Sequence, residues 1–155
     1  MSGAAPQPRI LIVGAGMSGM LLAIKLTEAG LDNYQIYDKA SEIGGTWREN
    51  TYPGLSCDVP SRYYTYQDAP NAEWNTRLPQ GPEIQQYLLG VVEKHQLRKR
   101  IAFNKEVADA RHDGEQWTVT FKDGQTEQAD FVIACCGLLH HPRYPNVPGL
   151  EDFAG

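Results

Sequence analysis

Cysteine is scarce in this sequence, with Cys57, Cys135 and Cys136 the only three. So few thiols do not form the disulfide framework on which small secreted domains rely. No apolar run approaches the roughly 20 residues that a membrane-crossing helix needs. No secretory signal stands ahead of the first apolar segment. Basic residues are also in deficit: 14 Lys and Arg face 19 Asp and Glu, for a net charge of -5. A nucleic-acid surface is therefore not expected, because no cationic excess is left to neutralise phosphates. The one basic cluster, Lys94, Arg98, Lys99 and Arg100, is expected to be a solvated helix end complementing the helix dipole. Internal repeats and low-complexity tracts are missing too. These absences point to a cytoplasmic globular protein with no membrane segment.

Hydrophobic residues make up 41% of the 155, enough for one domain with a real core. Residues 1–8, with Pro6 and Pro8, are expected to be a flexible N-terminus, and residues 9–155 a domain. The run Arg9-Ile10-Leu11-Ile12-Val13 has the continuous apolar character of a buried parallel strand. It leads directly into Gly14-Ala15-Gly16-Met17-Ser18-Gly19. Apolar residues from Met20 to Leu26 then recur at helical spacing until Gly30 supplies a stop. A short strand, Tyr34-Gln35-Ile36-Tyr37, follows and ends at Asp38.

Three glycines at this spacing arise often by chance, but strand before and helix after make a βαβ unit that binds a dinucleotide. The first glycine permits the tight turn, the second lets backbone approach a pyrophosphate, and the third lets helix and sheet pack closely. The helix N-terminus then offers free N–H groups to phosphate. The cofactor-binding residues expected here are Gly14, Ala15, Gly16, Ser18 and Gly19. Asp38 is placed to accept hydrogen bonds from ribose hydroxyls and would repel a 2′-phosphate. Its neighbour Lys39 is counted with the cofactor-binding set, although a continuing strand would turn it to the opposite face. At this point FAD and NAD both remain possible.

From Ser41 to about Leu78, Gly and Pro break up any long element, yet the stretch is rich in Trp and Tyr. Disordered linkers lack aromatics, so this segment should pack against something, a ligand among the candidates. Gly81 to Lys99 reads as a helix with Ile84, Tyr87, Leu88, Val91 and Val92 on one face. Strands are expected at Phe103 to Val107, Trp117 to Phe121 and Thr126 to Ala129, with a hairpin turn at Lys122-Asp123-Gly124. A buried strand, 130–134, ends at Cys135-Cys136-Gly137. The tail beyond Pro142 has no helix or strand signal.

Gly44-Gly45-Thr46-Trp47, Asn50, Tyr52-Pro53-Gly54, Cys57-Asp58-Val59-Pro60-Ser61 and Tyr63-Tyr64-x-Tyr66 resemble one family closely. It is the flavin-dependent monooxygenases of the Baeyer–Villiger and flavin-containing type, and the likeness covers nearly the whole chain. The strand ending in Cys135-Cys136-Gly137 matches the family's Ala-Thr-Gly-like triplet. Pro142, Pro145, Val147-Pro148-Gly149 and Phe153-Ala154-Gly155 resemble the approach to its long fingerprint. Ser56 departs from the Baeyer–Villiger subgroup, which often carries arginine there.

The resemblance implies an α/β, Rossmann-like FAD-binding domain, a parallel sheet with helices and a small β-meander, incomplete relative to the family. The NADPH domain is expected to be absent from these residues. It further implies FAD and NADPH as cofactors and O2 as a substrate. One oxygen atom passes to a ketone or to an N- or S-containing small molecule through a C4a-peroxyflavin. An isolated chain of this extent is expected to be inactive, a non-catalytic FAD-binding module.

By resemblance, Gly45, Thr46, Trp47 and Tyr64 contact the flavin side, Val107 offers main chain to the adenine, and Val59, Cys136 and Gly137 line the same cofactor. Asp58 is the expected catalytic residue, a buried carboxylate beside the flavin whose partner lies outside this sequence. Trp47 as plain core and Asp58 as a turn cap are competing readings. Tyr63 and Tyr66 are expected to pack, and Cys135 and Cys136 to be small buried hydrophobes rather than a redox pair. His140-His141 lacks a third ligand at sensible spacing, so no metal site is expected.

Overall fold

The computed structural model describes residues 6–138, 140 and 143–154. The expectations that fell on residues 1–5, His141, Pro142 and Gly155 lie outside the described residues. Four parallel strands form the central sheet, β1 (Ile10–Val13), β2 (Tyr34–Tyr37), β3 (Ile101–Ala102) and β7 (Phe131–Ala134). Their spatial order is β3-β2-β1-β7. Between β1 and β2 runs helix α1 (Met17–Glu28), and α2 (Thr46–Glu49) and α3 (Gly81–Lys94) precede β3. A separate antiparallel meander comprises β4 (Val107–His112), β5 (Trp117–Phe121) and β6 (Thr126–Ala129).

The alternating faces of the strands explain the three layers. Ile10 and Ile12 on β1, and Tyr34 and Ile36 on β2, pack against Met20, Ala23 and Ile24 of α1 and Ile84, Leu88 and Val92 of α3. Leu11 and Tyr37 point the other way, into a second core with Val119, Phe121 and Ala129 of the meander. A strand covered on both faces can be apolar at every position, as Ile10–Val13 is. Tyr37 fastens the layers: its ring lies 4.7 Å from that of Phe121, and its hydroxyl donates to Glu127 at 2.5 Å. Arg9 pairs with the same carboxylate. Burial and the Glu127 hydrogen bond push the Tyr37 phenol above its ordinary range.

Several elements differ from the sequence expectation. The helix expected to reach Lys99 ends at Lys94, because Gln96 takes a left-handed conformation (φ 52°) and a separate 3-10 turn covers Leu97–Arg100. The basic cluster also does more than face solvent. Arg98 donates to both oxygens of Glu42 at 3.1 Å, and Arg100 lies over the Tyr34 ring. Burial alone would raise the Glu42 carboxyl, but the Ile43 N–H and Arg98 outweigh it and hold the group below its usual value.

The strand expected over 103–107 does not form, apart from its last residue. β3 ends at Ala102, Asn104 turns left-handed (φ 53°), and β4 starts only at Val107. The intervening residues follow the end of β2, with the Asn104 N–H donating to the Ala40 carbonyl and the Lys105 N–H to that of Asp38, both at 2.9 Å. β7 was expected to be buried, yet Phe131 is 55% exposed. It is an edge strand of the sheet, with no strand paired beyond it among the described residues. The tail carries one 3-10 turn, Leu150–Asp152.

The aromatic segment does pack. The Tyr66 hydroxyl donates to the Met17 carbonyl at 2.6 Å, at the start of α1. The Tyr87 hydroxyl accepts from the Tyr66 N–H at 2.7 Å and contacts the Ala69 carbonyl at 2.8 Å. Tyr63, by contrast, is 82% exposed and packs into no core.

Candidate functional site

The chain lays β2 and β3 to one side of β1 and then returns to lay β7 on the other. In open α/β sheets the crevice outside the strand C-termini at such a reversal is where ligands bind. A cavity of about 540 Å³ lies there. Its floor is the glycine turn. Gly14 adopts φ +107° and its N–H donates to the Tyr37 carbonyl at 2.8 Å. A Cβ at Gly14 would stand 2.5 Å from the Cys135 carbonyl oxygen, and one at Gly19 would be driven into the Gly14 carbonyl. Gly16 differs: a Cβ there would meet only the Gly45 Cα, at 3.8 Å, and the residue lines the cavity. Ser18 lines it too. Ala15 and Gly19 are buried behind the turn and support it rather than face the cavity.

Helix α1 begins here with no side-chain cap and no acid in its first turn. Its first N–H groups and the positive end of its dipole are thus left for a ligand. Asp38 stands opposite. One carboxylate oxygen accepts the Ala15 N–H at 2.7 Å and the other the Ala40 N–H at 2.8 Å. The side chain therefore braces the turn, while each oxygen keeps lone-pair capacity for a hydroxyl donor. Lys39 lines the cavity and is not turned away from it. The expected alternation fails because β2 stops at Tyr37.

The second wall comes from the segment after β2. The Gly44 N–H donates to the Ala15 carbonyl at 3.0 Å, and Gly45, at φ +54°, brings backbone beside Gly16. Thr46 and Trp47 follow on α2 and line the cavity. The Trp47 indole N–H donates to the Tyr64 hydroxyl at 2.9 Å, with the rings edge to face at 5.5 Å. Trp47 also packs against the main core, so core and cavity roles coincide in one side chain. Burial, then the nearby Cys57 and Asp58, push the Tyr64 phenol up against the opposing effect of the Trp47 hydrogen bond.

Asp58 lines the cavity but is exposed, which corrects the expectation of a buried carboxylate needing a partner. Its neighbour Cys57 is buried instead. Its sulfur accepts the Val59 N–H at 3.4 Å, so the chain turns inward at 57 and outward at 58. Val59 is 37% exposed and does not line the cavity. Ser56 does, beside an antiparallel bridge to Gln80.

The remaining wall contains Val107, at the start of β4, and Cys136 and Gly137 after β7. Cys136 is exposed and Cys135 half-buried, so neither is the buried hydrophobe expected. Burial raises the Cys135 thiol. Sequence reasoning missed a polar group at the mouth. Glu49 accepts from Arg48 at 2.8 Å and pairs with Nδ1 of His140 at 2.9 Å. Its partners stand 1 and 91 residues away, and no local pattern marks the distant one. The Arg48 Nε is buried without an acceptor among the described residues. Those residues contain no cluster of three or more His, Cys, Asp or Glu able to hold a metal. They also contain no helix long and apolar enough to cross a membrane.

A Rossmann-like α/β domain with an open glycine turn and a crevice at the strand reversal defines a dinucleotide-binding protein. The chain belongs to the pyridine nucleotide-disulphide oxidoreductase family, whose profile matches residues 11–154. Its likeness within that family is to flavin monooxygenases. An uncharacterized monooxygenase of Mycobacterium tuberculosis is 50% identical over 148 residues, covering 96% of this chain and 30% of the relative. A Baeyer-Villiger monooxygenase of Streptomyces coelicolor is 37% identical over 149 residues, covering 95% and 28%. Among solved structures, OTEMO in complex with FAD and NADP superimposes with a TM-score of 0.85 at 28% identity, covering 97% of this chain and 29% of that one. The chain thus spans about three tenths of the length of the relatives it matches.

Proposed function

We propose that this chain is the FAD-binding part of an NADPH-dependent flavoprotein monooxygenase. The observation that carries the reading is the uncapped N-terminus of α1, opening between Gly16 and Gly45 into a cavity of about 540 Å³. The residues present fit FAD. The glycine turn and the α1 N–H groups suit the pyrophosphate, and Asp38 suits the ribose of the adenosine half. Val107 main chain suits the adenine, while Thr46, Trp47 and Tyr64 suit the flavin side. Asp58, exposed and lining the cavity, is the proposed catalytic residue. The buried Arg48 Nε supplies a donor that has no acceptor among the described residues.

When bound, FAD supplies the redox chemistry that lets one atom of O2 reach a small organic substrate. The protein's own part is to hold the cofactor, orient it and exclude water. The substrate class is a ketone, as in Baeyer–Villiger oxidation, or an N- or S-containing compound, and the setting is the cytoplasm. The NADPH site of this reading is not the α1 crevice, because the sequence carries a single Gly-x-Gly-x-x-Gly turn, Gly14 to Gly19, and FAD takes it. Adding NADPH anaerobically to the FAD-loaded chain is therefore expected to leave the visible flavin bands unchanged. Prompt bleaching would place the hydride-donor site within this chain and overturn that division of labour.

A further inference from the structure

A second and larger hollow shares no lining residue with the dinucleotide crevice. It measures about 820 Å³ and lies between segments 60–65 and 70–77. Backbone bonds hold this region together. The Ser61 N–H donates to the Arg77 carbonyl at 2.8 Å, the Cys57 N–H to Pro79 at 2.9 Å, and the Gly81 N–H to Leu55 at 3.0 Å. The ladder sets Arg62 and Arg77 on adjacent backbone, and both line the hollow.

No Asp or Glu is among the lining residues. Elsewhere in this acidic chain Arg9, Arg98, Arg100 and Arg111 each pair with a carboxylate. Neither Arg62 nor Arg77 has such a partner among the described residues. Trp74 forms part of the same wall, braced by the Tyr87 ring at 5.3 Å, and its indole N–H is buried without an acceptor. A buried donor left unpaired costs about 1–3 kcal/mol. The rest of the wall sets Pro60, Tyr63, Pro70 and Ala72 among five Ser, Thr and Asn residues.

We propose that this hollow binds a small organic anion. Its carboxylate sits on Arg62 and Arg77, whose planar guanidinium groups match carboxylate geometry, and its apolar body lies against Trp74 and Tyr63. Inorganic anions would satisfy the arginines but leave the Trp74 and Tyr63 rings uncovered. Polyanions such as nucleic acid are disfavoured by the chain's net charge of -5. The inference is independent of the FAD reading, because the two cavities have no residue in common.

The test is calorimetric titration of the 155-residue chain with benzoate, benzamide and inorganic phosphate, in the presence of excess FAD. Benzoate is expected to bind saturably at millimolar concentration or below. Benzamide, its neutral isostere, and phosphate should each bind at least roughly tenfold more weakly. The double variant Arg62→Gln/Arg77→Gln should lose benzoate binding by at least roughly tenfold with an unchanged circular dichroism spectrum, since both side chains are exposed. Benzamide or phosphate binding as tightly as benzoate, a double variant that binds normally, or no saturable binding at millimolar benzoate would each overturn the proposal.

Discussion

Replacing Gly19 by alanine is expected to destabilise the chain by about 3 kcal/mol and to abolish dinucleotide binding. The added Cβ would be driven into the Gly14 carbonyl oxygen, with the Ile12 side chain at 3.5 Å closing the other direction. Both neighbours are fixed. Gly14 is held by its bond to the Tyr37 carbonyl, and Ile12 lies fully buried in the central strand. Relief therefore requires α1 to move off the sheet, carrying its N–H groups away from the crevice. For a domain of this size such a loss lowers the melting temperature by roughly 6–12 °C. Gly30→Ala is the control. That glycine has φ +73° but nothing within 4 Å of its hypothetical Cβ. Only the backbone conformation resists the change, so about 1 kcal/mol is expected. Equal melting temperatures for the two variants would show that the turn does not depend on close packing at Gly19.

Asp38→Ala is expected to weaken FAD binding by roughly a hundredfold, from the loss of two contributions. The ribose would lose its carboxylate acceptor. The Ala15 and Ala40 N–H groups would lose theirs, at 2.7 and 2.8 Å, and the glycine turn would loosen. Asp38→Asn separates the two, because an amide oxygen can still accept from one N–H while the second position becomes a donor. An intermediate loss, on the order of tenfold, is expected for it. Flavin fluorescence titration reads both variants. Wild-type affinity in Asp38→Ala would mean that the adenosine half does not rest on this carboxylate.

The first βαβ unit was legible because its sequence signals are local. An apolar strand, three glycines at fixed spacing, a helical apolar pattern and a terminal acid occur in one stretch. The observed strands 10–13 and 34–37 and helix 17–28 differ from expectation only at their ends. The meander was legible where turn chemistry marked it, as at Lys122-Asp123-Gly124, where Gly124 takes φ +84°. Failures occurred where tertiary contacts decide. Asn104 enters the left-handed region because residues 103–106 must follow the end of β2, which no strand propensity encodes. The exposure of Phe131 reflects the strand's place at the sheet edge rather than its composition.

The site divides in the same way. The glycine turn, Asp38 and the Gly44-to-Tyr64 wall could be named from sequence and come together around one cavity. The exposure of Asp58 and the Arg48–Glu49–His140 group could not, because each depends on how distant segments meet. The unpaired Arg62 and Arg77 were equally silent, since a missing partner has no sequence signature. Lys39 shows the limit of periodicity: its face was assigned from a strand that had already ended.

FAD binding is assigned to the crevice beside β1 as a proposal. Its most direct test is titration of FAD into the purified 155-residue chain, followed by flavin fluorescence and visible circular dichroism, with NADP+ as competitor. Saturable binding of one FAD per chain, with an induced dichroic band and no displacement by NADP+, is the expected result. No binding, or displacement of FAD by equimolar NADP+, would contradict it.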